Sequence, residues 1–216
     1  MDDDQEVVKL LLNGFSEKQL KEIFPHEFYF YELTSDWDDK YESIKYKIFD
    51  GDVKTVSFDI FDTLIKRPLW SFEDIFYYIG FKKENELKKV GFAGQFPEMR
   101  KSSEEAARIK ISGLYAVPRD VKISDIYDSM IELYGLPAVL AEELKNTELE
   151  TEIEFSLARA SMKECYDLAL NLGKKIIFIS DMYLDKRTID TLLNKCGYTE
   201  YKLYLSSEIG MLKATG

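Results

Sequence analysis

The sequence is short of the residues that most often carry metal and thiol chemistry. It has one histidine, His26, and two cysteines, Cys165 and Cys196. A single histidine within the aromatic segment FPHEFYFYEL, with no Cys or His partner, reads as structural rather than catalytic. The cysteines fall in helix-like apolar patterns and are expected to pack as small hydrophobes in a reducing compartment, not as a disulfide or a metal pair. Positive charge is also scarce. Lys and Arg total 29 against 40 Asp and Glu, a net charge of -11. That excludes a broad nucleic-acid-binding surface, which needs clustered cations, and confines any phosphate site to a small local patch. Long apolar runs are missing: a stretch such as Ile176-Ile177-Phe178-Ile179 is far too short to cross a bilayer. The N-terminal residues MDDDQ are acidic and do not form a signal peptide. No membrane insertion and a cytoplasmic location are therefore expected.

What is present is enough apolar material for a core, 45% of 216 residues, which suggests one domain or a domain with an insert. Residues 1–24 have a partly amphipathic helical pattern through Val7, Leu10, Leu11, Phe15, Leu20 and Phe24, interrupted at Asn13-Gly14. Residues 25–50 read as an extended stretch and a short helix. A short strand is expected over 54–59, where Val56 and Phe58 are apolar and Gly51-Asp52 bounds the run. Pro68 prevents a helix from running straight through the loop that follows.

From Ser71 to Leu172 the pattern is helical. Ser71 with Glu73 and Asp74 marks a helix start, 95–110 reads as a charged helix, and Ser124-Asp125 opens another that Gly135-Leu136-Pro137 closes. The long stretch from Pro137 to Leu172 carries Ala158, Met162, Cys165, Ala169 and Leu172 at helical spacing, and Gly173 sits where a helix C-cap should. The aromatics Phe76, Tyr77 and Tyr78 are read as core. Arg100, Glu104, Glu105 and Arg108 share a charged face, which reads as solvated and laced with i,i+4 pairs in preference to a fork reaching a substrate anion.

The character then changes. Ile176 to Ile179 is a continuous run expected to form a strand buried on both faces. A helix follows with Asp185 or Asp181 as its cap, Ile189, Leu192, Leu193 and Cys196 inward, and Gly197 at its end. Tyr201 to Leu205 is the next strand. A βαβ unit of this kind implies a parallel sheet and an α/β fold.

Ligand crevices in open α/β sheets lie at the carboxyl ends of the strands. Three strand ends here are polar: Asp59, Asp62 and Thr63; Ser180-Asp181; and Ser206-Ser207, with Lys213 a little further on. A carboxylate, a hydroxyl and an ammonium converging on one crevice suit attack on a phosphoryl group. The carboxylate attacks, the hydroxyl donates to a phosphate oxygen, and the lysine offsets the charge of both. Each residue taken singly is an ordinary turn or capping residue. It is their order along the chain that favours the chemistry.

SFDIFDTL, IIFISD and SSEIGMLKATG resemble, in order, the first three motifs of the haloacid dehalogenase-like superfamily, from about Lys54 to the last residue. The wording is similar to bacterial members found beside glycosyltransferases in surface-polysaccharide genes. The resemblance implies a Rossmann-like parallel-sheet core at 51–68 and 173–216, a helical cap inserted at 69–172 that closes over the site and selects the substrate, and an N-terminal extension at 1–50. It implies a Mg²⁺-dependent phosphatase working through an aspartyl-phosphate. Asp59 would be nucleophile and metal ligand, the Phe61 backbone carbonyl a second metal ligand, Thr63 a support for the loop, and Ser180 with Asp181 the phosphate contact. Lys213 would steady nucleophile and phosphate. Lys66 and Arg67 are candidate substrate contacts. The expected substrate is a small phosphorylated metabolite such as a sugar phosphate, and a fused or neighbouring glycosyltransferase is the expected partner.

Two departures from the pattern matter. Phosphatases of the superfamily carry a general acid two residues after the nucleophile, where this chain has Phe61. Asp62 stands at the place of the usual glycine, one position too far along to inherit the role. An aromatic at this position also occurs in the dehalogenase branch, which needs no leaving-group acid. The fourth motif, an acidic loop, should follow Lys213, and the chain stops at Gly216, so the core is expected to be incomplete at its C-terminal end. A degenerate, non-catalytic ligand- or partner-binding module and a dehalogenase-like hydrolase are the rival readings.

Overall fold

A computed structural model of the chain describes residues 38–69, 71–115 and 119–214. The expectations for 1–24 and for His26 lie outside the described residues. These residues fall into two compact units, one built from 68–107 and 124–155 and the other from 38–67, 108–123 and 156–214. The helical stretch expected as one insert at 69–172 is thus divided between the two.

The first unit is helical. It contains α2 (Asp74–Lys82), α3 (Glu84–Lys89), most of α4 (Phe96–Leu114) and α5 (Ile123–Tyr134), and α6 (Ala138–Phe155). The expected start at Ser71 is made by two reciprocal bonds. The Glu73 N–H donates to the Ser71 hydroxyl at 3.2 Å, and the Ser71 N–H donates to the Asp74 carboxylate at 2.9 Å. Short polar side chains thus hold the residues just ahead of the helix, while the N–H groups of Asp74, Ile75 and Phe76 donate to the backbone carbonyls of Ser71, Phe72 and Glu73. Ile75, Ile79, Phe96, Met99, Ile126, Met130 and Leu144 are buried and form the core of this unit.

Of the charged face expected on α4, Glu105 and Arg108 are exposed and Arg100 makes an i,i+4 pair with Glu104, but Arg100 itself is buried. Arg100 is 0% exposed. Its guanidinium is bidentate to Glu148, with both bonds at 2.9 Å, donates to Glu104 at 2.9 Å, and lies 4.7 Å from the Phe76 ring centre. The Tyr127 hydroxyl donates to the same Glu148 at 2.7 Å. The partner that buries Arg100 is 48 positions away, beyond the reach of local pattern.

The second unit holds a three-stranded parallel sheet, β1 (Thr55–Phe58), β4 (Lys175–Ser180) and β5 (Lys202–Leu205), in the order β1-β4-β5. Phe58 is in register with Phe178, and Ser180 with Leu205. The short helix expected before it is α1 (Asp38–Phe49), which packs along α7 (Ala160–Asn171), where Lys45 and Glu164 pair at 2.8 Å.

β4 was expected to be buried on both faces. Ile176, Phe178 and Ser180 are buried, but Ile179 is 36% exposed and its neighbours on that face, Ser57 and Lys202, are exposed. Right-handed crossovers that progress in one direction across a sheet keep their helices on one face. That face carries the aromatic core. Phe178 meets Phe58 at 6.1 Å, Tyr166 of α7 at 6.0 Å, Tyr198 at 5.9 Å and Tyr201 at 4.6 Å, centre to centre. Burial of rings of this size stabilises by about 1.5–3 kcal/mol each, and edge-to-face geometry adds about 0.5–1.5 kcal/mol per pair.

The stretch from Pro137 to Leu172, where a helical pattern was expected, is two helices with a short strand between them. α6 ends at Phe155, β3 (Leu157–Ala158) pairs antiparallel with β2 (Ile65–Lys66), and α7 then begins. The helical spacing across 158–162 is overridden because the backbone between the helices finds partners elsewhere. The Arg159 N–H donates to the Leu64 carbonyl at 2.9 Å, and the Ser156 carbonyl accepts from Lys195 at 3.1 Å. Gly173 does close α7, at φ +66°, with its N–H to Leu170 and that of Lys174 to Ala169. This is the paired-bond cap that a left-handed residue permits. α8 (Lys186–Lys195) is capped by Asp185, which accepts from the Thr188 N–H at 2.8 Å, and α9 (Ser206–Ile209) follows β5 directly. Among the described residues no helix is long and apolar enough to cross a membrane.

Candidate active site

The site forms where β1 gives out. Phe58 ends the strand, buried, and Asp59 follows at its carboxyl end with a side chain 39% exposed. The chain then makes a tight loop. The Ile60 carbonyl accepts from the N–H groups of Thr63, Leu64 and Ile65 at 3.4, 2.9 and 3.0 Å. Ile60, Leu64 and Ile65 are fully buried and pin the loop from below, leaving Asp62 exposed at its tip. Asp62 adopts φ +57°, the left-handed conformation that glycine takes without cost and that Asp tolerates better than most residues. The Leu64 carbonyl is held twice, by the Arg159 N–H and by the Tyr198 hydroxyl at 2.8 Å. Burial pushes that hydroxyl well above the ordinary tyrosine range, so it stays a donor.

Three of the expected site residues meet here. The Thr63 hydroxyl donates to Asp59 Oδ2 at 3.1 Å, and the Lys213 ammonium donates to Asp59 Oδ1. Asp181 joins them through the same lysine. The Lys213 backbone N–H donates to both Asp181 carboxylate oxygens, at 3.1 and 3.0 Å. Lys213 thus reaches one carboxylate with its side chain and a second with its backbone. Ser180 ends β4 beside β1, buried at 2% exposure and level with Leu205. Adjacent strands lie about 4.8 Å apart, which keeps Ser180 on the same sheet edge as Asp59.

The remaining candidates lie around the loop. Phe61 is half-buried, and the Arg67 guanidinium lies 4.6 Å from its ring centre. Lys66 is in β2 opposite Leu157 and is 8% exposed. Arg159, which the sequence did not single out, sends Nη2 to the Asp62 carbonyl at 3.2 Å. In the sequence it falls within a helical pattern; in the structure it is extended between β3 and α7, and the β2–β3 pairing brings it to the loop. Asp120 was also missed. It lies in an irregular segment with no strand end or motif to mark it, yet its carboxylate accepts from the Ser206 hydroxyl at 2.6 Å. Among the described residues no cluster of three or more His, Cys, Asp or Glu is placed to hold a metal ion. The carboxylates that Lys213 gathers at the site are those of Asp59 and Asp181.

This arrangement can hold a nucleophilic oxygen on a rigid loop, with an ammonium beside it to stabilise negative charge. No family model and no curated protein matches the chain.

Proposed function

We propose that this chain is a hydrolase of the haloacid dehalogenase-like kind, a phosphatase acting on a small phosphorylated metabolite. The observation that carries the reading is the meeting of Asp59, Thr63 and Lys213 at the carboxyl end of a parallel strand. In the proposed reaction an Asp59 oxygen attacks phosphorus, the bond from phosphorus to the leaving oxygen breaks, and an aspartyl-phosphate forms. Water then attacks phosphorus, the Asp59–phosphorus bond breaks, and the carboxylate is restored with release of phosphate. Lys213 offsets the charge that builds on the phosphoryl oxygens, and Thr63, by its bond to Oδ2, fixes the orientation of the attacking carboxylate.

Mg²⁺ suits the donor chemistry, since it takes one or two carboxylates and otherwise keeps water and phosphate oxygens. Asp59 and the Phe61 carbonyl would hold it, and when bound it would neutralise phosphate charge. Phe61 has no proton to give. The leaving oxygen must take its proton from solvent, so the reading favours substrates with good leaving groups. A net charge of -11 disfavours a nucleic-acid substrate and fits a small one held by local cations.

The Phe61–Arg67 stack also favours a second reading, a non-catalytic module that binds a phosphorylated ligand. Turnover of p-nitrophenyl phosphate with Mg²⁺ separates the two. Activity that is lost in Asp59→Asn supports the phosphatase. Absence of turnover, together with thermal stabilisation by a sugar phosphate or sugar nucleotide, supports the binding module.

A further inference from the structure

We propose that Asp120 is a positioning residue for the Asp59 site, acting through Ser206 and the turn after β4 on Lys213; this rests on the phosphatase reading above. The connection is continuous. Asp120 Oδ1 accepts from Arg108 Nη1 at 2.8 Å and from the Val121 N–H at 3.0 Å, and Oδ2 accepts from the Ser206 hydroxyl at 2.6 Å. Ser206 Oγ in turn accepts the Met182 N–H at 3.0 Å. Met182 follows Asp181, whose carboxylate receives the Lys213 N–H, and the Lys213 ammonium rests on Asp59. The same turn is tied down by the Ser207 hydroxyl on the Leu184 carbonyl at 3.2 Å and by the Ile123 N–H on the Tyr183 carbonyl at 2.9 Å.

Direction is what Asp120 supplies. A serine hydroxyl has one proton. With that proton committed to a carboxylate, Oγ can only accept, and the Met182 N–H is the donor it faces. Ser206 is 2% exposed and Asp120 is 9% exposed, so water does not readily substitute for either bond. An amide at position 120 cannot reproduce the pattern. If its oxygen faces Ser206, its NH₂ confronts the donors of Arg108 and Val121. If it is flipped, its NH₂ faces the Ser206 hydroxyl, whose proton then loses its acceptor and turns away from position 120. Either orientation loosens the 181–184 turn that anchors the Lys213 backbone.

The test is steady-state kinetics of the full chain on p-nitrophenyl phosphate with Mg²⁺, for wild type, Asp120→Asn, Ser206→Ala, Ser206→Thr and the Asp120→Asn/Ser206→Ala pair. Asp120→Asn and Ser206→Ala are each expected to lower kcat about ten- to a hundredfold, the scale of a slightly misplaced catalytic group. KM should change little, the double variant should be no worse than either single one, and Ser206→Thr should restore most of the rate. Should Asp120→Asn not fold, Ser206→Ala against Ser206→Thr gives the same reading. Wild-type turnover with undiminished kcat in Asp120→Asn or Ser206→Ala overturns this proposal alone. So do losses that multiply in the double variant. Wild type without turnover overturns the phosphatase reading and this proposal with it.

Discussion

The ammonium of Lys213 rests on the carboxylate of Asp59 across 154 positions of sequence. The pair is solvent-accessible, with side chains 41% and 39% exposed, so it contributes little to stability, in the range of about 0–1 kcal/mol for surface ion pairs. In the proposed reaction its value is in placing positive charge beside Asp59, the attacking group. Lys213→Ala is expected to leave the melting temperature nearly unchanged while lowering turnover of p-nitrophenyl phosphate about 10²–10³-fold, the scale on which losing one preorganised donor acts. Thermal melting and initial rates on one preparation check both halves.

Asp62 is expected to be replaceable. Its carboxylate is exposed, and its φ of +57° is a conformation glycine takes freely. Asp62→Gly relieves backbone strain but frees the unfolded chain, and the two effects offset to within about 1 kcal/mol. Activity should persist, because the carboxylate is not the leaving-group acid. Asp62→Val, which keeps the chain stiff and adds a β-branch, should cost about 1–3 kcal/mol in urea denaturation. Loss of turnover in the glycine variant would give Asp62 a chemical role.

Arg100 and Glu148 are both fully buried, and each needs the other. Removing one partner strands a charge in the core, and Glu148→Ala should destabilise by about 3–5 kcal/mol. Replacing the pair with apolar residues of similar volume, as in Arg100→Met with Glu148→Leu, should recover most of that loss only when Tyr127→Phe also removes the hydroxyl that would otherwise lose its acceptor. Chemical denaturation of the two single variants, the double variant and the triple variant measures the coupling.

Burial pushes both thiols, Cys165 and Cys196, up to about 11. The folded state then holds protons that the unfolded state has lost once pH passes the ordinary thiol value. Stability falls where the folded state binds more protons. The contribution of the thiols should therefore decline from about pH 9 to about pH 11 and level off above that, while the Tyr198 and Tyr201 hydroxyls, also pushed up by burial, extend the loss of stability to higher pH. A Cys165→Ala/Cys196→Ala variant should show a shallower decline in melting temperature over the same range. The native thiols should also resist alkylation at pH 8, since the thiolate is the reactive form.

The strands and their polar ends were legible because short β-branched and aromatic runs bounded by turn residues have few other readings. Asp59, Ser180 and Lys213 were marked by position at or after such ends. Gly173, Gly197 and Asp185 were legible as helix caps because their conformations and bonds are local. What was not legible depended on partners far along the chain. Arg100 looked solvated because Glu148 is 48 positions away. Ala158 looked helical because the strand that captures it, Ile65–Lys66, is only two residues long. Asp120 carried no signal, since its function in the structure is read from Ser206, 86 positions distant. The exposed face of β4 was missed because an apolar run does not reveal how many faces its neighbours cover.

The central claim is that the Asp59 carboxylate attacks phosphorus. It is tested most directly by mixing the protein with p-nitrophenyl phosphate and Mg²⁺, quenching in acid within the first turnover, and mapping phosphorylated peptides by mass spectrometry. The account predicts a phosphoryl group on Asp59 that appears with the first release of p-nitrophenolate and is missing in Asp59→Asn. Turnover with no phosphoryl group on Asp59, and with undiminished rate in Asp59→Asn, would contradict it.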